Sequence, residues 1–297
     1  MLLLLPDFLL IVAGFVLCRY TPLDRPVWEA AEKLVYFLLF PVLLFNSISR
    51  SSLSPGDTMA LMGGGLGVML SGIALAFALR WVPGVDARTH ASGAQVAFRF
   101  NSFVALALAE RLHGAQGVAW IAMIVAVCVP VANVAAVYPL ARHGGHGYLR
   151  ELARNPLIVS TLAGLAANLT GLRLPEPAAI SLQKIGLAAL PLGLMAVGAG
   201  LRLGALKDAP WLASALLAIR HLVLPVIALA IGHALALPAP QAALLLAFAA
   251  MPTASSAYVL AVRMGGNGPF VAGLVTVSTL LGMIVLPLWL ALGTAAQ

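Results

Sequence analysis

The chain is 297 residues long, 62% of them hydrophobic and only 9% charged, with a mean hydropathy of +1.01. Soluble domains carry about 25% charged residues, so a water-exposed globule is excluded, and the length accommodates about ten helical spans of some 20 residues each as a single transmembrane domain over 1–297. The formal charge of +7 is scattered between apolar segments without a run or stripe, which argues against a nucleic-acid face and for a role in membrane orientation.

Polar residues, Pro and Gly divide the chain into predicted spans near 2–18, 30–49, 57–79, 92–112, 115–140, 155–172, 177–201, 210–236, 239–263 and 268–294. The first of these begins without Lys or Arg and carries Asp7, so it reads as a retained span rather than a signal peptide. Cys18 and Cys128 lie in or at apolar segments with neither metal-ligand nor disulfide spacing and read as packing residues. Lys33 can pair with Glu29 one turn earlier. The longest connection, 142–154, separates a first half (1–141) from a second (155–297). Its His143-Gly-Gly-His146 offers two imidazoles, too few for a metal site. No metal and no cofactor is expected.

With the N-terminus outside, ten basic residues collect on the cytoplasmic side (Arg19, Arg25, Arg80, Arg88, Arg142, Arg150, Arg154, Arg202, Lys207 and Arg263) against three outside (Arg50, Arg111 and Arg173). Positive charge favours the cytoplasmic face, so both termini are expected outside a multi-pass protein of the inner (cytoplasmic) membrane.

The halves match each other. Gly14 to Phe45 aligns with Gly164 to Met195, each running from a span through a Pro-containing turn into a helix marked by Lys33 and Pro41 in one copy and Lys184 and Pro191 in the other. Phe100-Asn101-Ser102 to Arg111 likewise aligns with Pro252-Thr253-Ala254 to Arg263. Five spans per copy is an odd number, so the second copy enters the membrane from the opposite side, the inverted-topology arrangement of many secondary transporters. The competing explanation is coincidence among Ala- and Leu-rich helices.

The fourth span carries Arg99-Phe100-Asn101-Ser102 near its middle and the ninth carries Met251-Pro252-Thr253-Ala254-Ser255-Ser256. Pro removes a backbone donor, and Asn, Ser and Thr bond backbone groups locally, so either a simple kink or a true break follows. A break creates a half-helix N-terminus with partial positive charge at mid-membrane, which suits an anion. Arg99 and Arg220 lie deep in their spans, where each costs roughly 2.5 to 3.5 kcal/mol on insertion scales, and no Asp or Glu falls mid-span beside them. Arg99 can hold a carboxylate ligand or turn to backbone carbonyls. Arg220 can do the same or brace an unwound neighbouring helix. His221 is a candidate proton carrier, though the adjacent arginine opposes its protonation. Asn46, Ser47, Gln95 and Asn133 are further polar residues that line a cavity or join helices.

Phe98-Arg99-Phe100-Asn101-Ser102-Phe103 and Ala250-Met251-Pro252-Thr253-Ala254-Ser255-Ser256-Ala257-Tyr258 resemble motifs of the bacterial auxin efflux carrier family, and the resemblance extends over the whole chain. The family is related to the plant auxin efflux carriers and, more distantly, to the bile acid transporters. The resemblance implies an all-α membrane fold of ten helices in two inverted five-helix repeats, whose fourth and ninth helices are broken and cross. It also implies a carboxylate-bearing substrate at that crossing, between a scaffold and a transport domain, with Asn101, Ser102, Pro252 and Thr253 there; the expected substrate-binding residues are these four with Arg99, Ser255 and Ser256. Relatives often place a proline before the fourth-span asparagine, where this chain has Phe100, so a milder break is expected.

The expected function is therefore secondary active transport, in the efflux direction by family resemblance, of a small organic anion through alternating access. An anion channel or pore is the alternative. No nucleophile with its base, metal cluster or carboxylate pair falls in any predicted span, so an enzyme is not expected. A coupling ion, proton or sodium, and a homodimeric assembly fit the same reading, with the lipid bilayer as solvent and no nucleic-acid partner.

Overall fold

The computed structural model describes residues 5–50, 55–82, 85–140, 156–172, 174–201, 209–254 and 256–295. The connection 142–154 with its two histidines, the loop cations Arg173, Arg202 and Lys207, and Ser255 lie outside the described residues. Among the described residues every regular element is helical. Six of the described helices are long and apolar enough to cross a membrane: Arg25–Arg50, Thr58–Trp81, Ala87–Val137, Glu176–Ala199, Pro210–Ala234 and Gly268–Gly293. Three more, Phe8–Tyr20, Val159–Leu169 and Ala239–Ala250, are apolar but shorter. The protein is an all-helical, multi-pass membrane protein.

The Ala87–Val137 stretch is not one rod. It leaves the helix at residues 99–101 and turns at His113 (φ −141°) and Gly114 (φ 55°). The second value lies in the left-handed region that glycine enters without strain. This turn falls between the predicted fourth and fifth spans. Beyond it a Cβ on Gly117 would overlap the Ala109 carbonyl, so glycine lets the two arms lie close.

The chain folds as two compact units, each drawn from both halves of the sequence: Met1–Thr58, Phe103–Ala126 and Gly147–Gly200 form one, and Met59–Ser102, Val127–His146 and Leu201–Gln297 the other. In the first unit, helix Leu5–Tyr20 packs against Ala189–Ala199 through two glycines. A Cβ at Gly14 would overlap the Met195 carbonyl, and one at Gly198 the Ile11 carbonyl. Phe40–Arg50 packs against Pro156–Leu169, where Gly164 backs onto Phe45 and the Asn168 amide donates to the Ile48 carbonyl at 2.9 Å. Glu29 pairs with Arg25 at 3.3 Å rather than with Lys33, and Glu32 pairs with the same guanidinium at 3.0 Å.

The second unit turns polarity inward. On Pro210–Ala234 Arg220 and His221 are 1% and 2% exposed, while Leu222 and Val226 on the same helix are 55% and 54% exposed, the distribution expected where the outer solvent is lipid. A π turn over Ile219–Val223 adds a residue to that helix turn. Pro225 has no amide with which to bond the His221 carbonyl four residues back, and the Trp289 indole donates to that carbonyl instead at 2.9 Å.

At one end of this unit Asp86 caps helix Ala87–Gly93 by accepting from the Thr89 amide at 2.7 Å. The turn after Ser256–Arg263 is clasped to the same helix. Arg88 donates twice to the Gly265 carbonyl, and the Asn267 amide donates to Ser92 Oγ at 2.8 Å. Asn267 Oδ1 accepts from the Phe270 amide at 3.1 Å, opening the long last helix.

Candidate functional site: two helix breaks in the second unit

The short helix Gln95–Phe98 ends where Arg99 turns extended (φ −72°, ψ 144°), and helix resumes at Ser102. Helix Ala239–Ala250 ends where Met251 does the same (φ −62°, ψ 147°), and helix resumes at Ser256. The first break is complete over three residues without a proline. The chain departs here from the milder interruption that Phe100 suggests, because tertiary bonds replace the lost ladder. The Asn101 amide donates to the Pro252 carbonyl at 2.9 Å, joining one break to the other. Phe100 stacks edge-on against Phe248, ring centroids 4.7 Å apart, and the Pro252 ring rests on Gly282, where a Cβ would meet its Cδ at 3.1 Å.

A helix that stops in a buried, apolar setting leaves carbonyls that no later amide can fill. Arg220 answers this for Ala239–Ala250: its Nε donates to the Met251 carbonyl and its Nη2 to the Phe248 carbonyl at 3.1 Å. Within the break, the Thr253 amide donates to Ser278 Oγ at 3.0 Å, and the same hydroxyl lies 2.9 Å from His221 Nε2. Among the described residues here, two buried polar atoms stay without a hydrogen-bond partner, Thr253 Oγ1 and His221 Nδ1.

Arg99 is held by two uncharged amides. Its Nη1 donates to Gln95 Oε1 at 3.2 Å and its Nη2 to Asn133 Oδ1. The carboxylates that form ion pairs among the described residues are Glu29 and Glu32, both with Arg25, so the guanidinium charges at the breaks meet no protein carboxylate there.

Asn101 and Pro252 are thus bonded to each other, Arg99 to Asn133, Arg220 to the end of the helix before Pro252, and Thr253 and His221 to the shared Ser278 hydroxyl. Ser102, half-buried, and Ser256, exposed, each begin a resumed helix. Asn46 belongs to the first unit, buried, with its Oδ1 unpartnered. Sequence reasoning missed Ser278. Its signal was the cluster Thr276-Val277-Ser278-Thr279 in an otherwise apolar span, which local pattern gives no means of connecting to Thr253.

Comparison with known proteins bears on the class of the chain. The family model described as "Membrane transport protein" matches residues 141–290, just over half of the chain and inclusive of the second break. Over 304 aligned positions, covering 95% of this chain and 92% of the relative, the sequence is 27% identical to a protein of Rhizobium meliloti (strain 1021) described as "Putative malonate transporter".

Proposed function

The chain belongs to the membrane transport protein family, a transporter rather than an enzyme, and on that premise we propose that it moves a small organic anion by alternating access, holding the anion's carboxylate where the two breaks meet. The observation that carries this reading is Arg99. Its guanidinium, in the first break, is held by the neutral amide oxygens of Gln95 and Asn133, so it retains the charge that a carboxylate needs. The fork geometry also favours two-point contact with a planar carboxylate. The unpartnered Thr253 hydroxyl in the second break supplies a further donor. The name of the Rhizobium meliloti relative favours a short dicarboxylate as the substrate class.

The accompanying architecture is ten spans in two inverted five-span repeats, with the interrupted helices crossing and both termini outside the inner membrane. One pair of contacts supports it. The sequence match pairs Gly14 with Gly164 and Phe45 with Met195, and Gly14 backs onto Met195 while Gly164 backs onto Phe45. Contacts exchanged by the match are what an approximate twofold relation between copies produces.

The test is malonate binding and counterflow with purified protein in proteoliposomes. Charge-assisted hydrogen bonds contribute about 1.5 to 3 kcal/mol, so Arg99→Gln is expected to weaken binding about ten- to a hundredfold. Arg99→Lys should weaken it less, since it keeps the charge and loses the fork. An Arg99→Gln protein that melts lower yet binds and exchanges malonate normally would make this arginine structural and remove the site.

A further inference from the structure

Gln95 is wholly buried one turn before Arg99. Its Nε2 donates to the Ser92 carbonyl at 3.0 Å and the Ala257 carbonyl at 3.1 Å, while its Oε1 accepts from Arg99 Nη1 at 3.2 Å. The amide has one workable orientation. Reversed, its NH2 would face the guanidinium N–H and its oxygen would face two carbonyl oxygens. Ala257 belongs to Ser256–Arg263, the helix that resumes after the second break. One side chain therefore ties the segment before the first break to the segment after the second, and presents to Arg99 an acceptor that carries no charge.

We propose that Gln95 is a positioning residue that sets the site's selectivity for anions: its amide aims the Arg99 fork without neutralising it, a role that Asn133 shares at the other guanidinium nitrogen. The inference rests on the carboxylate-site reading above. A glutamate at this position would satisfy the guanidinium more strongly than an amide does and so compete with the transported anion. It would also lose the two donors that hold the Ser92 and Ala257 carbonyls. Glutamine meets both demands. Its N–H groups face the backbone acceptors, and its neutral oxygen leaves the arginine's charge available to a ligand.

Gln95→Glu and Gln95→Met separate this role from mere packing. Both remove the Nε2 donors, so both are expected to melt lower than wild type. Only the first supplies a competing carboxylate. With malonate, succinate and acetate as probes, Gln95→Glu is expected to lose about ten- to a hundredfold of the wild-type affinity, the range of a charge-assisted contact. Gln95→Met should lose less, even where its melting temperature falls as far or further. Affinities that follow the melting temperatures of the two variants, or a Gln95→Glu protein that binds like wild type, would overturn the proposal. An Arg99→Gln control distinguishes the failures. If it binds normally, the carboxylate-site reading is wrong at its root; if it loses affinity while Gln95→Glu does not, only the role of Gln95 falls. A wild-type protein that binds none of the three probes overturns both.

Discussion

Arg220 offers the most direct test of how the break in Ala239–Ala250 is held. Replacing it with methionine keeps most of the side-chain length and removes the donors that serve the Met251 and Phe248 carbonyls. A buried acceptor left unpaired costs about 1 to 3 kcal/mol, so two stranded carbonyls should cost about 2 to 6 kcal/mol. The insertion penalty of an intramembrane arginine gives little relief. Heat-denatured helices remain in the micelle, so that penalty is borne on both sides of the melting equilibrium. For a chain of this size each kcal/mol moves the melting temperature by roughly 2 to 4 °C, and a fall on the order of 10 °C is expected for detergent-purified Arg220→Met. Arg220→Lys, with a single ammonium in place of the fork, should fall between Met and wild type. Malonate affinity, measured well below the melting point, should change much less than in Arg99→Gln. An Arg220→Met protein that melts like wild type would show that the carbonyls find other partners. Unchanged melting with lost affinity would make Arg220 a ligand instead of a brace.

Asn101→Ala and Thr253→Ala should lower malonate exchange about tenfold or more, in the range of lost contacts to a charged ligand, while folded yield stays near wild type; normal exchange by both would reduce the meeting of the breaks to a kink. Gly14→Val forces a side chain into the Met195 backbone, and overpacking of this kind costs about 1 to 3 kcal/mol or more, so the variant should elute partly aggregated in size-exclusion chromatography; a monodisperse peak with wild-type melting would refute the close approach. The Thr89 hydroxyl and amide bonds hold the Asp86 carboxyl below the usual carboxylate range, so the cap contributes above the unfolded carboxylate value and is lost as pH falls through the lower folded one. Asp86→Ala should cost about 1 kcal/mol at neutral pH and little in strong acid, and a melting difference independent of pH would count against the cap. A tag inserted at Gly144 should be reachable only from the cytoplasm and one after Gln297 only from outside; finding both on one face would end the ten-span topology.

The membrane class, the hairpin at residues 113–114 and the two interruptions were legible in the sequence because each is a local property. Apolar runs, a glycine in a turn and a proline among hydroxyl residues act within a few positions of themselves. The arginines were legible only as a problem. A guanidinium in an apolar span needs partners, and local pattern does not say which. The folded chain decided that Arg220 reaches back to carbonyls about thirty residues away in sequence, and that Arg99 is shared between Gln95 and Asn133. It decided too that Ser278 serves both Thr253 and His221. Those pairings depend on helix rotation and depth. A single added residue, as in the π turn at Ile219–Val223, changes which side chains face inward and leaves no mark on composition. Ala, Leu and Val fit either face of a membrane helix, so their order constrains rotation weakly, and it is the few polar groups, each needing a partner where water is absent, that fix how these helices meet.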